Sequence, residues 1–155
     1  MLTKSIHCHA TCVAQGEVAI LLRGASGSGK SDLAYRFINL SVPEGSGLPH
    51  LVADDQVILT RQDGVILASP PPTIKGKLEL RGIGIIELPY LENVRLRLIV
   101  DLHPPGEIER LPDWKINDEI LDLKLPLIRL TPFEPSAALK LRAAINMLSK
   151  EFSHN

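Results

Sequence analysis

The chain has 155 residues, a length that suits a single domain, and it is 45% hydrophobic against 23% charged, a globular balance that argues against disorder. Its 17 Lys and Arg against 18 Asp and Glu leave a net charge of −1, so no basic excess points to nucleic acid or to an anionic membrane. Two cysteines cannot make a disulfide framework, no apolar run is long enough to span a bilayer, and a start containing Lys4, His7, Cys8 and His9 does not read as a signal peptide, so a soluble cytoplasmic domain is expected.

Residues 5–14 read as one strand, with Ile6, Cys8, Ala10, Cys12 and Ala14 on one face and Ser5, His7, His9 and Thr11 on the other. That alternation separates Cys8 and Cys12 from His7 and His9 and argues against a shared metal site. Gln15-Gly16 is a turn signal, and residues 18–22 are a buried strand. After a Gly-rich stretch, a helix runs over about residues 30–39, with Leu33, Ala34, Phe37 and Ile38 on one face. Residues 41–50 are a loop by their Pro and Gly content, and residues 51–53 form a short strand ending in Asp54-Asp55. Residues 56–60 and 65–68, joined by Arg61-Gln62-Asp63-Gly64, look like a hairpin.

Pro70-Pro71-Pro72 forbids regular structure. Residues 75–87 fit neither period: charges surround Leu78 and Leu80, and Gly82-Ile83-Gly84-Ile85-Ile86 follows. Residues 96–102 are a strand, Pro104-Pro105-Gly106 breaks the chain, and a further strand lies within residues 121–130. The end is a helix that Ser136 can cap, with Ala138, Leu141, Ile145 and Leu148 at helical spacing. Ala137, Ala143 and Ala144 are small enough for close packing against a second copy, while the competing expectation is a helix that covers its own sheet. Strand, Gly-rich loop and helix in succession point to an α/β domain.

Gly24-Ala25-Ser26-Gly27-Ser28-Gly29-Lys30-Ser31 matches G-x-x-x-x-G-K-[ST] in full, with an apolar strand before it and an amphipathic helix after it. The glycines let backbone N–H groups close around phosphate oxygens, and the helix N-terminus adds partial positive charge. Lys30 is placed to reach the β- and γ-phosphates, and the Ser31 hydroxyl to ligate Mg²⁺. A GTPase would need Asn-Lys-x-Asp to read guanine, and that motif is absent. Two apolar strands end in acids, one at Asp54-Asp55 and one at Asp101, and strand pattern alone favours Asp101 as the acid of the nucleotide site. Two adjacent acids on a regular strand point to opposite faces, so only one of Asp54 and Asp55 should face the nucleotide.

At this point the sequence resembles the catalytic domain of the HPr kinase/phosphorylase family, bacterial enzymes that act on a serine of the phosphocarrier protein HPr. Four blocks carry the likeness: residues 6–10 with His9, the phosphate loop, Leu51-Val52-Ala53-Asp54-Asp55, and Leu78-Glu79-Leu80-Arg81-Gly82-Ile83-Gly84-Ile85-Ile86. It runs in order over roughly residues 5–112 and fades after Asp113. The resemblance implies one HPr kinase-like catalytic domain over residues 1–155, a short form without the family's usual N-terminal domain. The implied fold is a single P-loop nucleotide-binding domain with a mixed sheet, phosphoenolpyruvate carboxykinase-like.

The same resemblance implies Mg²⁺ as cofactor, ATP as substrate, HPr as partner, and a homo-oligomer, hexameric in the family. It makes Asp55 the acid/base towards the target serine, Ser31 and Glu79 the metal ligands, and His9, Lys30 and Arg110 further catalytic positions, with Asp101 demoted to an ordinary strand end. His9 is followed by Ala10 where the family has Gly, and the loop over residues 41–50 is longer than the family's. Reverse phosphorolysis stays open, because Leu125-Pro126-Leu127-Ile128-Arg129 matches the family's dephosphorylation region only loosely. Two alternatives stand beside this reading. A small-molecule kinase would carry an Arg-rich lid, and no such run is present; a non-catalytic nucleotide-binding regulatory module would have no need for Asp55 and Glu79 together.

Overall fold

The computed structural model describes residues 3–152, and side chains as far as Leu148. Tight turns set the topology. After β1 (Lys4–Cys8), β2 (Thr11–Gln15) folds back on β3 (Val18–Arg23) through Gly16, at φ 59. Helix α1 (Lys30–Ile38) and β4 (Pro49–Ala53) follow, and then the hairpin of β5 (Val57–Gln62) and β6 (Val65–Ser69). Its two turn residues, Asp63 and Gly64, both sit at positive φ (52 and 78), the mirror-image turn whose twist suits a two-residue hairpin.

A short 3₁₀ turn, Pro72–Ile74, fits inside the proline-rich stretch. It leads to β7 (Lys77–Leu80) and β8 (Gly84–Glu87), a separate two-stranded ribbon whose tip needs Gly82 (φ 89) and Gly84 (φ 116). The Gly-rich stretch that fits neither sequence period is therefore a hairpin. Strand β9 (Val94–Leu102), the pair β10 (Asn117–Ile120) and β11 (Leu123–Leu130), and α2 (Ala137–Phe152) complete the chain.

The main sheet has nine strands in the order β1-β5-β6-β9-β3-β2-β4, with β11 joining β9 and β10 joining β11. Among the described strand pairs, β3 with β9 and β9 with β11 run parallel and the others antiparallel, and Leu51 makes a single parallel bridge to Tyr90. The expectation of a mixed-sheet, phosphoenolpyruvate carboxykinase-like P-loop domain is corrected by this topology. The molecule is an α/β fold built on a curled, mostly antiparallel half-barrel sheet with two helices. The physical reason is the connections: two-residue turns return a strand antiparallel, whereas a parallel partner needs a long crossover.

The residue 5–14 expectation also changes. One continuous strand is replaced by two, because the chain leaves β5, its partner along β1, and enters between β3 and β4. Thr11, Val13 and Gln15 are consequently buried along with Cys12 and Ala14, since a central strand is covered on both faces.

Period two along β3 splits the core. Ile20 and Leu22 face α1 and α2, while Ala19 and Leu21 face the opposite side of the sheet with Leu59, Ile66 and Ala68 of the β5–β6 hairpin. On α2, Ala137, Ala138, Leu141, Ala144, Ile145 and Leu148 are buried in the first cluster. The helix thus covers its own sheet and leaves Leu139, Ala143 and Met147 exposed as a narrow stripe. Among the described residues no helix is long and apolar enough to cross a membrane.

Candidate active site

Residues 24–29 join the C-terminal end of β3 to α1, and Gly29 caps the helix in the left-handed region at φ 97. Glycine is needed there twice over. A side chain would strain the backbone, and a Cβ would come within 2.9 Å of Phe133 Cζ and 3.1 Å of Pro132 Cβ. The loop closes on itself, with the Ser28 N–H donating to the Ala25 carbonyl at 3.0 Å. Lys30 is buried, and its ammonium donates to the carbonyls of Gly24 (2.7 Å) and Ala25 (3.1 Å). The Ser28 hydroxyl is buried without a partner among the described residues.

Strand β4 ends at Ala53, and the two acids behind it do not alternate. Asp54 is buried and Asp55 is exposed, but Asp55 adopts φ 67, and both line the same cavity. The expectation that only one of them faces the site assumed a regular strand, and the left-handed backbone at Asp55 removes that premise. Such a conformation costs a non-glycine residue about 1–2 kcal/mol. Backbone contacts oppose that cost: Ala10 N–H donates to the Asp55 carbonyl at 3.2 Å and Gln56 N–H to the Asp54 carbonyl at 2.8 Å.

Asp54 is the hub. Its Oδ1 accepts the Ser31 hydroxyl at 2.7 Å and the Thr11 hydroxyl at 3.0 Å, and its Oδ2 accepts the backbone N–H of Glu79 at 3.3 Å. One carboxylate thereby ties α1, β2 and β7 together. On the exposed side, His9 Nδ1 lies 3.4 Å from Asp55 Oδ1.

The resulting cavity, about 470 Å³, is lined by Ser26, Gly27, Gly29, Lys30 and Ser31 from the loop and helix, by Asp54 and Asp55, by Glu79 and Arg81 of β7 and its turn, and by Phe133. The loop before α2 that carries Phe133 is held over α1 by Arg36, whose guanidinium donates to the carbonyls of Pro132 and Glu134.

The structure therefore brings Lys30, Ser31, Asp55 and Glu79 to one cavity and sets His9 against Asp55. Gly24 and Ala25 anchor Lys30, while Ser26, Gly27 and Gly29 reach the lining directly. Arg110 is elsewhere. It lines a second, more apolar cavity of about 230 Å³ with Trp114, Arg129 and Met147.

Asp101, favoured by strand pattern and then demoted, is engaged structurally. Arg23 donates to both of its oxygens, from Nε at 2.7 Å and Nη2 at 3.0 Å, and from Nη1 to Asp118 at 2.8 Å. These bonds hold the Arg23 guanidinium above its ordinary range despite partial burial, and the same bond to Arg23 holds the Asp118 carboxyl below the usual carboxylate range. Burial pushes the Cys12 and Cys8 thiols up, so both stay protonated near neutrality.

Sequence reasoning missed Thr11, Arg81 and Phe133. Thr11 stands two residues after His9, and Arg81 lies inside a quoted block, so both carried a signal of position. Phe133 carried none, since only tertiary packing brings it to Gly29.

Comparison with known proteins agrees with this geometry. The family model "HPr Serine kinase C-terminal domain" matches residues 1–152, including the stretch after Asp113 where the resemblance faded. The HPr kinase/phosphorylase of Clostridium tetani is 32% identical over 146 residues, which is 86% of this chain and 45% of that protein. The one from Bordetella pertussis is 35% identical over 124 residues, 73% of this chain and 38% of that protein. The chain spans less than half the length of these curated relatives. The solved "Structure of the Hpr(Ser) kinase/phosphatase from Coxiella burnetii" superposes with a TM-score of 0.79 at 21% identity, covering 96% of this chain and 99% of that one, a likeness of fold.

Proposed function

Since the chain belongs to the HPr serine kinase C-terminal domain family, we propose that it transfers the γ-phosphoryl group of ATP to a serine hydroxyl of the phosphocarrier protein HPr. The observation that carries this reading is the convergence of Lys30, Ser31, Asp54, Asp55 and Glu79 on one cavity at the N-terminus of α1. Residues 1–155 act as the catalytic domain, in the cytoplasm.

The loop amides of residues 24–29 and the positive end of α1 hold the phosphates. Lys30 exchanges its bonds to the Gly24 and Ala25 carbonyls for bonds to phosphate oxygens, and Arg81 adds charge from the facing hairpin. Asp55 takes the proton of the serine hydroxyl. The serine oxygen forms its bond to the γ-phosphorus, the bond from that phosphorus to the bridging oxygen breaks, and ADP leaves. His9, beside Asp55 Oδ1, orients that carboxylate. Arg110 is assigned a part by family resemblance alone.

The donor set fits magnesium. The Ser31 hydroxyl donates its hydrogen bond to Asp54, which leaves its oxygen lone pairs free for a cation, and Glu79 presents an exposed carboxylate at the same cavity. Among the described residues no three His, Cys, Asp or Glu side chains form a cage on their own, which suits a cation shared with substrate phosphates. When bound, Mg²⁺ supplies charge neutralisation on the transferring phosphoryl group.

The protein works as a homo-oligomer, hexameric by family resemblance, and light scattering of the active chain tests this. For the activity, purified chain is incubated with γ-labelled ATP, Mg²⁺ and HPr. Label on an HPr serine is the expected result, and label only on a small molecule, or none, overturns the reading.

A further inference from the structure

Thr11 opens β2 and is 0% exposed, so its hydroxyl has to find partners inside the protein. It finds two. The hydroxyl donates to Asp54 Oδ1 at 3.0 Å and accepts the backbone N–H of Asp55 at 3.3 Å. A hydroxyl can donate and accept at once, and here the two roles fall on consecutive residues of the acid pair. The residues before Thr11 grip the same pair, Ala10 through its amide and His9 through its ring. Asp55 stands at φ 67, a conformation a non-glycine residue keeps only when its surroundings hold it there. The segment linking β1 to β2 is that surrounding.

We propose that Thr11 is a positioning residue for phosphoryl transfer. Its single hydroxyl turns the Asp54 carboxylate towards Ser31 and pins the backbone from which the Asp55 carboxylate enters the cavity. Its catalytic consequence rests on the kinase reading above; its geometry does not. The β7 amide and the Ser31 hydroxyl remain on Asp54 when Thr11 is changed, so nucleotide binding is largely spared and the orientation of Asp55 is what is lost.

The test uses Thr11→Val, which keeps the shape and removes both bonds, and Thr11→Ser, which keeps both bonds and removes a methyl group. Two readouts are taken on the full chain: steady-state phosphorylation of HPr, and the amide resonance of Asp55 in a ¹⁵N-labelled sample. Thr11→Val is expected to lower kcat by about ten- to a hundredfold. The KM for ATP is expected to change by no more than about twofold. The Asp55 resonance is expected to move upfield as its hydrogen bond is lost, and Thr11→Ser to restore both readouts.

Wild-type kcat in Thr11→Val, or a Thr11→Ser as impaired as Thr11→Val, overturns the proposal. Loss of the fold in both Thr11→Val and Thr11→Ala also overturns it, since the hydroxyl would then serve the fold. If the unmodified chain does not phosphorylate HPr, the kinase reading fails separately. The Asp55 resonance then decides the clasp alone, an unmoved peak in Thr11→Val overturning it.

Discussion

The two neighbouring acids should fail in opposite ways when each loses its charge. Asp54 is 7% exposed, and its carboxylate accepts the Ser31 hydroxyl, the Thr11 hydroxyl and the Glu79 N–H. In Asp54→Asn one oxygen becomes an NH₂. Placed at Oδ2, that group faces the Glu79 amide, donor against donor. Placed at Oδ1, it faces two hydroxyls, one of which already accepts the Asp55 amide. Either orientation loses at least one charge-assisted bond, worth about 1.5–3 kcal/mol, and strands a buried donor at about 1–3 kcal/mol. A loss of about 3 kcal/mol corresponds to roughly 6–12 °C in Tm at this chain length.

Asp55 is exposed, its carboxylate pairs with His9, and Asn tolerates its left-handed backbone. Asp55→Asn should therefore melt within about 0.5 kcal/mol of wild type. It should still bind nucleotide and lose about a hundredfold or more in transfer rate. Thermal unfolding, calorimetric titration with a non-hydrolysable ATP analogue, and initial rates on HPr separate the two. An Asp54→Asn variant that melts like wild type, or an Asp55→Asn variant that keeps its rate, would refute the division of labour.

Lys30→Ala should abolish transfer to HPr, and because the ammonium also ties the carbonyls of Gly24 and Ala25, Tm should fall slightly; unchanged turnover would remove the loop from the mechanism. Gly29→Ala forces a side chain into φ 97 against Phe133 and Pro132, so a cost of about 1–2 kcal/mol and weakened nucleotide binding are expected; adding Phe133→Ala should relieve only the steric part. Asp118 carries a depressed carboxyl because Arg23 and the Glu119 amide donate to it. Its contribution is thus present above the unfolded carboxyl value, about 3.9, and is lost as pH falls through the lower folded value. Urea unfolding at a series of acidic pH values should show wild type losing stability more steeply than Asp118→Asn, and parallel curves would contradict this.

Local chemistry made much of the fold legible. Period-two alternation, the turn within Arg61-Gln62-Asp63-Gly64 and the Gly-rich loop are read within a few residues of themselves, and the strands, hairpin and helix they specify are present, with Arg61 and Gln62 continuing β5 and only Asp63 and Gly64 turning. The errors arise where pairing is distant. The break at His9-Ala10 exists because β1 and β2 answer to different partners, Val57–Gln62 on one side and Val18–Arg23 on the other. The β10 strand was missed because its four residues, Asn117 to Ile120, are mostly polar, and one of them is spent on Arg23. The family blocks located the loop, the acid pair and Glu79, but not what joins them. Thr11 reaches Asp54 through the pairing of β2 with β4, and Glu79 arrives from the separate β7–β8 ribbon, so the three meet only in the tertiary fold. A threonine in a strand is an ordinary β-former, so nothing in its identity marks the one whose hydroxyl closes the site.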